Sequence, residues 1–359
     1  MSTALTPLQN FNSALLETTP ILRKATSAGR RLAELKGVSS TIPNQEVLIN
    51  TLALQEAKDS SEIENIITTH DDLFRDSLFP EGIVGSPAAK EVSRYVQAVR
   101  VGFDLVREHG LLTSAHIVSI QQELENNRAR YRKLPGTSLK NSLGEVVYTP
   151  PQEPDEIIAL MSDLERFIND DTAIDADPLV KMAIIHFQFE SIHPFYDGNG
   201  RTGRIMNVLY MVQQGLLDSP ILYLSRHIMR TKADYYRLLQ TVRDTGAWEE
   251  WILYMLEAVE VTATETISTV LSINAGLAEY ENRIRAEFKF YSPALLSNLF
   301  NHPYTKIEFV EHDLKVSRLT ATRYLDALAT AGLLRKHRLG RGNYYVNVRL
   351  YEILAGVDA

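Results

Sequence analysis

The stretch HPFYDGNGRTGR, His193 to Arg204, constrains this chain more than any other. It sets a histidine, a carboxylate, three glycines and two arginines where a loop enters a helix. Gly198, Gly200 and Gly203 remove Cβ atoms where a backbone must turn tightly, so successive N–H groups can converge on an anion. From Arg201 onward, RTGRIMNVLYMVQQG carries apolar residues at helical spacing, and a helix start adds orphan N–H groups and the positive end of its dipole. Arg201 and Arg204 lie three apart on that first turn, placed for two guanidiniums to hold neighbouring phosphates. Asp197, just ahead of the nest, is the hard oxygen ligand that magnesium takes beside phosphate oxygens. His193 titrates near neutrality and can accept a proton from an attacking hydroxyl.

Other readings compete. GNGRTG also fits G-x-G-x-x-G, but a dinucleotide fingerprint needs a preceding strand. Asp177 to Gln188 reads instead as a buried helix, with Asp177 as N-cap and Pro178 at its first position. His186, Glu190 and His193 have spacings of four and three that a metal site can use. Pro194, however, ends the helix just past His193, and His186 reads as a hydrogen-bonded core residue. A glycine-rich cap with solvated arginines would explain the glycines, but not the histidine, aspartate and paired arginines together.

The stretch resembles the signature of the Fic (filamentation induced by cAMP) family, His-x-Phe-x-Asp/Glu-Gly-Asn-Gly-Arg-x-x-Arg, at every fixed position. The resemblance implies transfer of AMP from ATP to a Ser, Thr or Tyr hydroxyl of a target protein. It makes His193 the catalytic base, Asp197 the Mg2+ ligand, and Gly198, Asn199, Gly200, Arg201, Thr202, Gly203 and Arg204 the ATP cradle. Upstream, after Pro43, the helical stretch Gln45 to Ile67 places Ser60 and Glu64 one turn apart on one face. Ser60-x-x-x-Glu64-Asn65 is similar to the family's inhibitory motif, (Ser/Thr)-x-x-x-Glu-(Gly/Asn). That likeness implies that Glu64 takes the Arg204 fork which the ATP γ-phosphate needs. Residues Ser142-Leu143-Gly144 read as the turn of a hairpin. In the family such a hairpin is a flap that presents the target by strand pairing, here with Val146 to Tyr148 as contacts. Tyr235 and Tyr236 resemble a Tyr-Tyr pair near the family's adenine pocket, although Arg230 and Thr231 stand where the family commonly carries an asparagine.

The expected fold class is mainly α: a Fic-type helical core with a β-hairpin flap, plus a small C-terminal winged helix-turn-helix domain. A length of 359 residues, 45% of them hydrophobic, allows two or three cores. We expect a helical region carrying the inhibitory motif over residues 1–90, a catalytic core over 91–260, a helical connection over 261–290 and the winged domain over 291–359. Helices are expected over Ile21 to Lys36, ended by Gly37, over Ala88 to Glu108, over Ser114 to Asn127 and over Trp248 to Phe290. Residues from Thr68 to Pro87, rich in Asp, Pro, Gly and Ser, read as a boundary. The absence of cysteine excludes disulfides and thiolate metal sites and suits a cytoplasmic setting. The N-terminus has no leader pattern, and no apolar run reaches membrane-spanning length. In the last segment, helices over Thr305 to His312 and Ser317 to Ala331 precede a hairpin with Gly340 and Gly342 at its tip. Nine basic residues there face six acidic ones, a balance of +3 within a chain of −8. That reversal fits a DNA backbone, a protein partner or a second copy of the chain. Besides AMP transfer from ATP, removal of AMP, use of another nucleotide donor and a DNA-binding regulator with a nucleotide-sensing pocket stay open.

Overall fold

In the computed structural model the apolar spacing becomes a mainly α chain with two small antiparallel sheets. The structure describes residues 18–42, 44–68, 87–141, 143–301, 303–339 and 342–355, with residues 5, 7, 8, 11 and 16. Pro43, Ser142, Gly340, Arg341 and residues 69–86, all used in reading the sequence, lie outside the described residues. Among the described residues no helix is long and apolar enough to cross a membrane. Contacts group the chain into two compact units. One comprises Met1–Lys36, Asp59–Ile67 and Arg94–Thr264, and the other Gly37–Lys58, Thr68–Ser93 and Glu265–Ala359. Neither is one continuous stretch, because single helices contribute different turns to each.

The first unit contains most of α1 (Thr19–Ser39), the last turn of α2 (Gln45–Ile63), the greater part of α3 (Pro87–His109), and α4 (Ser114–Glu125). Strands β1 (Leu139–Lys140) and β2 (Val146–Tyr148) follow, then α5 (Pro154–Asn169), α6 (Pro178–Ile192), α7 (Asn199–Gln213), α8 (Ser225–Arg230), α9 (Lys232–Thr245) and the first half of α10 (Trp248–Glu287). Helix α1 passes through Gly37 and ends at Ser39. A helical glycine costs only about 1 kcal/mol, so burial beyond it can carry the helix on; Ser39 and Ile42 are both buried. The centre is α6, buried at every position from Leu179 to Ile192, as expected of a helix with no polar face. Asp177 Oδ1 caps it by accepting the Leu179 N–H at 2.8 Å, with Pro178 at the first position. Trp251 of α10 donates its indole N–H to the Ala183 carbonyl at 2.8 Å, fixing α10 on α6. Helix α4 starts at the Thr113 cap, whose side chain accepts the His116 N–H. Gly102 lets α3 close on α4 and α7, since a Cβ there would collide with Leu209 and Ile120.

In the hairpin, Leu139 faces Tyr148 and Lys140 faces Val146. The Asn141 carboxamide shapes its turn by accepting the N–H groups of Leu143 and Glu145, each at 3.0 Å, and Gly144 takes φ +80°.

The second unit holds the rest of α2 and α10, then α11 (Pro293–Asn301), β3 (Tyr304–Lys306), α12 (Ile307–Leu314) and α13 (Arg318–Thr330). The chain continues with β4 (Leu334–Leu339), β5 (Gly342–Asn347) and α14 (Val348–Ala355). The sheet order is β3-β5-β4, all antiparallel. Ser317 caps α13, and the order of two helices followed by a hairpin matches the expectation for this segment. Side-chain amides tie the unit together: Asn347 Nδ2 donates to the Leu299 carbonyl at 2.9 Å and Gln55 Nε2 to that of Leu354 at 2.6 Å.

Candidate active site

Helix α6 ends and α7 begins at the motif, so its residues lie at one helix's C-terminus and the next one's N-terminus. His193 is the C-cap of α6, in the left-handed region at φ 50° and ψ 59°. Gly198 takes φ +77° as N-cap of α7, a conformation glycine adopts without cost. Between them the Asn199 side chain closes the loop on itself. Its Oδ1 accepts the Phe195 N–H at 2.9 Å and its Nδ2 donates to the Phe195 carbonyl at 2.8 Å.

Two arginines from outside the motif hold this corner. Arg132, buried in the loop after α4, donates Nε to the His193 carbonyl at 2.9 Å and Nη2 to the carbonyls of Ile192, at 3.3 Å, and Pro151. A cation placed there satisfies orphan carbonyls and complements the negative end of the helix dipole. Arg243 of α9 donates Nε to Ser191 Oγ at 3.2 Å and stacks 4.0 Å over the Tyr148 ring. Tyr148 in turn donates its hydroxyl to the Ser191 carbonyl at 2.9 Å, anchoring β2 to the last turn of α6. Burial pushes the His193 imidazole down to about 4, helped by Arg132 and Arg243 and weakly opposed by Glu64 and the Glu190 backbone. At neutral pH the ring is therefore uncharged and able to accept a proton.

Each motif arginine faces a carboxylate of this same chain. Arg204, buried, donates Nη2 to Glu64 Oε1 at 2.9 Å and to the Ser60 carbonyl at 3.0 Å, and Nε to Ser60 Oγ at 2.8 Å. The Glu64 carboxylate also lies over Gly200, where a Cβ would collide with it. Burial alone would raise the Glu64 carboxyl, but Arg204, with Arg201 and Lys232, outweighs it and holds the group below its ordinary value. Arg204 is pushed upward, its burial outweighed chiefly by Glu64. Lys232 Nζ caps the end of α2 by donating to the Ile63 carbonyl at 2.6 Å. Arg201 meets Glu125, at the end of α4, with Nη2 and Oε1 2.8 Å apart. A Cβ on Gly198 would lie 2.5 Å from that same Oε1. The N-terminus of α7 is thus built to hold anions, and two carboxylates stand against it.

Three family models match the chain in succession. Fic/DOC family N-terminal covers residues 22–104, Fic/DOC family covers 111–211, and the C-terminal domain of SoFic-like protein adenylyltransferase covers 277–350. The chain belongs to the Fic/DOC family. It is similar to protein adenylyltransferase fic-1 of Caenorhabditis briggsae, 27% identical over 162 residues that make up 43% of this chain and 30% of that protein. Its likeness to the Caenorhabditis elegans fic-1 is 29% over 120 residues, 33% of this chain and 22% of the other. A probable protein adenylyltransferase of Aquifex aeolicus is 29% identical over 176 residues, 48% of this chain and 52% of that one. The chain thus spans less than a third of the length of either Caenorhabditis relative. Among solved structures, a Fic family protein from Desulfovibrio desulfuricans G20 has the same fold with a TM-score of 0.59 at 19% identity, covering 92% of this chain and 96% of that one. Residues 134–508 of C. elegans Fic-1 superpose with a TM-score of 0.53 at 22% identity, over 70% of this chain and 74% of that chain.

The structure brings His193, Asp197, Gly198, Gly200, Arg204, Ser60 and Glu64 of this Fic chain to one corner. It changes the physical account of others. Gly200 and Gly203 are helical rather than tightly turned, and what they need is close approach. A Cβ on Gly203 would meet Glu190 Oε1 at 2.7 Å and Phe189 at 3.1 Å, so Gly203 serves the packing of α7 on α6. The Asn199 carboxamide is committed to the Phe195 backbone, Arg201 Nη2 is held by Glu125, and the Thr202 side chain is fully buried. Tyr235 is a core residue whose hydroxyl lies 2.8 Å from His186 Nε2, leaving Tyr236, 46% exposed, as the member of the pair at the surface. His186 also bonds Asn207 through Nδ1 at 3.1 Å; burial takes its imidazole to about 3, so it stays a neutral core residue. Arg132, Glu125 and Arg243 were invisible as site residues in the sequence, and Glu190 entered only through the metal spacing with His186 and His193. Each lies outside the twelve-residue motif, and only Glu190, one turn before His193, had a spacing that could flag it.

Proposed function

We propose that this chain transfers AMP from ATP to a Ser, Thr or Tyr hydroxyl of a protein, and that Glu64 holds the reaction in check. The observation that carries this reading is the Glu64 carboxylate on Arg204 and over Gly200, in the anion cradle beside an uncharged His193. In the reaction, the target hydroxyl gives its proton to the His193 imidazole as its oxygen bonds the α-phosphorus. The bond from that phosphorus to the bridging oxygen breaks, and pyrophosphate leaves with the electron pair. Backbone N–H groups at the start of α7 receive charge that grows on the phosphate oxygens, and Arg204 takes the γ end once Glu64 withdraws. Asp197 suits a magnesium ion: its carboxylate is 79% exposed at the lip of the cradle, and magnesium binds through one or two carboxylates with phosphates and water. Bound there, the ion would help hold the α and β phosphates and offset charge on the pyrophosphate that leaves.

We read the C-terminal helices and hairpin as a winged helix that docks a macromolecular partner, protein or DNA. Arg318, at the head of α13, pairs with Glu308 at 2.8 Å and Glu311 at 3.5 Å, and Lys336 pairs with Asp326 at 2.6 Å. These two paired cations would release few counterions from a DNA backbone, while Arg323, Arg335 and Arg338 are exposed and open to either partner. A cytoplasmic setting fits the lack of cysteine. The test of the reaction is incubation of a Glu64→Gly chain and a cell lysate with ATP labelled at the α or the γ phosphate. Protein should carry α label only, and His193→Ala should carry none. Covalent γ label, or no α label on any protein, would overturn the proposal.

A further inference from the structure

If the chain modifies protein hydroxyls, something must hold the target beside His193, and the loop after α4 carries groups that no step of the reaction uses. Arg128, Arg130 and Lys133 are exposed on it, and none of the three has an ion pair or side-chain hydrogen bond among the described residues. In a chain of net charge −8 this is an uncompensated basic cluster. The loop is fixed rather than loose. Arg132, between these cations, is the residue bonded to the His193 carbonyl, and the Tyr196 hydroxyl accepts the N–H groups of Lys133 at 2.9 Å and Leu134 at 3.0 Å. Tyr196 stands in the motif itself, next to Asp197. Two hollows border the loop. One, of about 760 Å3, runs over the start of α4 and α5, with Asp155 its acidic lining residue; the other, of about 570 Å3, reaches Leu134 and Tyr196. Arg130, Tyr131 and Lys133 line both. Leu134 and Tyr196 are 69% and 55% exposed, which puts apolar surface in the same hollow as the cations.

Resting on the transfer reading, we propose that Arg128, Arg130 and Lys133, with Leu134 and Tyr196, seat the part of the target that flanks the modified hydroxyl. That segment is acidic with an apolar residue beside it. The cations select by charge and the exposed rings and methyls by contact, while the short hairpin offers backbone. Unpaired cations on an ordered loop lose little freedom when they bind, so they favour a carboxylate-bearing peptide over the solvated state.

The test uses the full Glu64→Gly chain and two matched synthetic peptides, each with one tyrosine and one leucine, flanked by Asp and Glu or by Ser and Gln. Fluorescence anisotropy without ATP reads binding, and α-labelled ATP reads transfer. The acidic peptide should bind at least ten times tighter, and the difference should shrink at high salt. In the triple variant R128E/R130E/K133E the preference should vanish while the KM for ATP stays unchanged. Equal binding of both peptides by the unsubstituted loop would overturn the proposal. So would an altered KM for ATP with the preference intact, which would assign the cations to the nucleotide. Because anisotropy needs no chemistry, acidic preference without transfer would refute the reaction and leave this surface standing.

Discussion

Replacing Glu64 with glycine tests the central contact in two directions at once. In the parent, Arg204 is buried, and Glu64 provides its carboxylate at 2.9 Å. Stripping the partner from a buried cation costs about 3–5 kcal/mol. Here Ser60 still offers its hydroxyl and carbonyl, and the Glu64 side chain is 35% exposed. Solvent screening and these remaining acceptors lower the figure to roughly 1–2 kcal/mol. A γ-phosphate has to displace the same contact, so transfer at low ATP should rise about 5–30-fold in the variant. Without ATP the variant should be less stable by a similar amount, which for a unit of this size is about 2–4 °C in Tm for each kcal/mol. Saturating magnesium ATP should recover that loss, because the phosphate replaces the missing anion. Glu64→Gln, which keeps the volume and removes the charge, should move both readouts the same way. Radiolabel transfer and thermal melts with and without ATP check it. A variant that melts with the parent and transfers no faster would show that Glu64 does not occupy Arg204 in solution.

The other predictions concern residues around the motif. Glu125→Ala, Arg201→Ala and the double variant should each weaken ATP use to a similar degree, with a coupling of about 1–3 kcal/mol, because the pair braces Gly198 as one unit. Tighter ATP binding in Glu125→Ala would instead mean that a released Arg201 grips phosphate directly. Glu190 is buried, its Oε1 has no hydrogen-bond partner among the described residues, and burial, offset in part by Arg204, raises its carboxyl from 4.5 to about 7. Its folded form therefore holds its proton more tightly than the unfolded chain does. Stability should fall as pH rises from 4.5 to about 7, by roughly 3 kcal/mol in total from this group. Glu190→Gln should flatten that slope in melts taken between pH 5 and 8, and an unchanged slope would refute the assignment.

Much of the site was legible because helix ends announce themselves locally. Asp177-Pro178 starts α6, Pro194 follows its end, and Gly198 opens α7, each through a constraint on its own backbone. Helical spacing brought out the Ser60 and Glu64 pair, although the helix expected to reach Ile67 ends at Ile63 and Glu64 stands in the turn just beyond it, before Asn65 at φ 63°. The paired tyrosines show the opposite case: nothing in adjacent letters says which one turns inward, and packing against His186 decides it. Gly203 likewise reads as a turn until α6 and α7 are set side by side and Glu190 fills the space a methyl would need.

By itself the sequence determined the order of helices, the two caps that frame the motif, and the placing of His193 and the glycine backbone at the junction of the two helices, since each depends on neighbours within a turn or two. Tertiary structure alone decided which carboxylate reaches Arg201, which cation crowns the end of α6, and how uncharged His193 becomes. Those outcomes depend on desolvation and on Coulomb contact between residues such as Arg132 and His193 or Glu125 and Arg201, which lie about sixty to eighty positions apart.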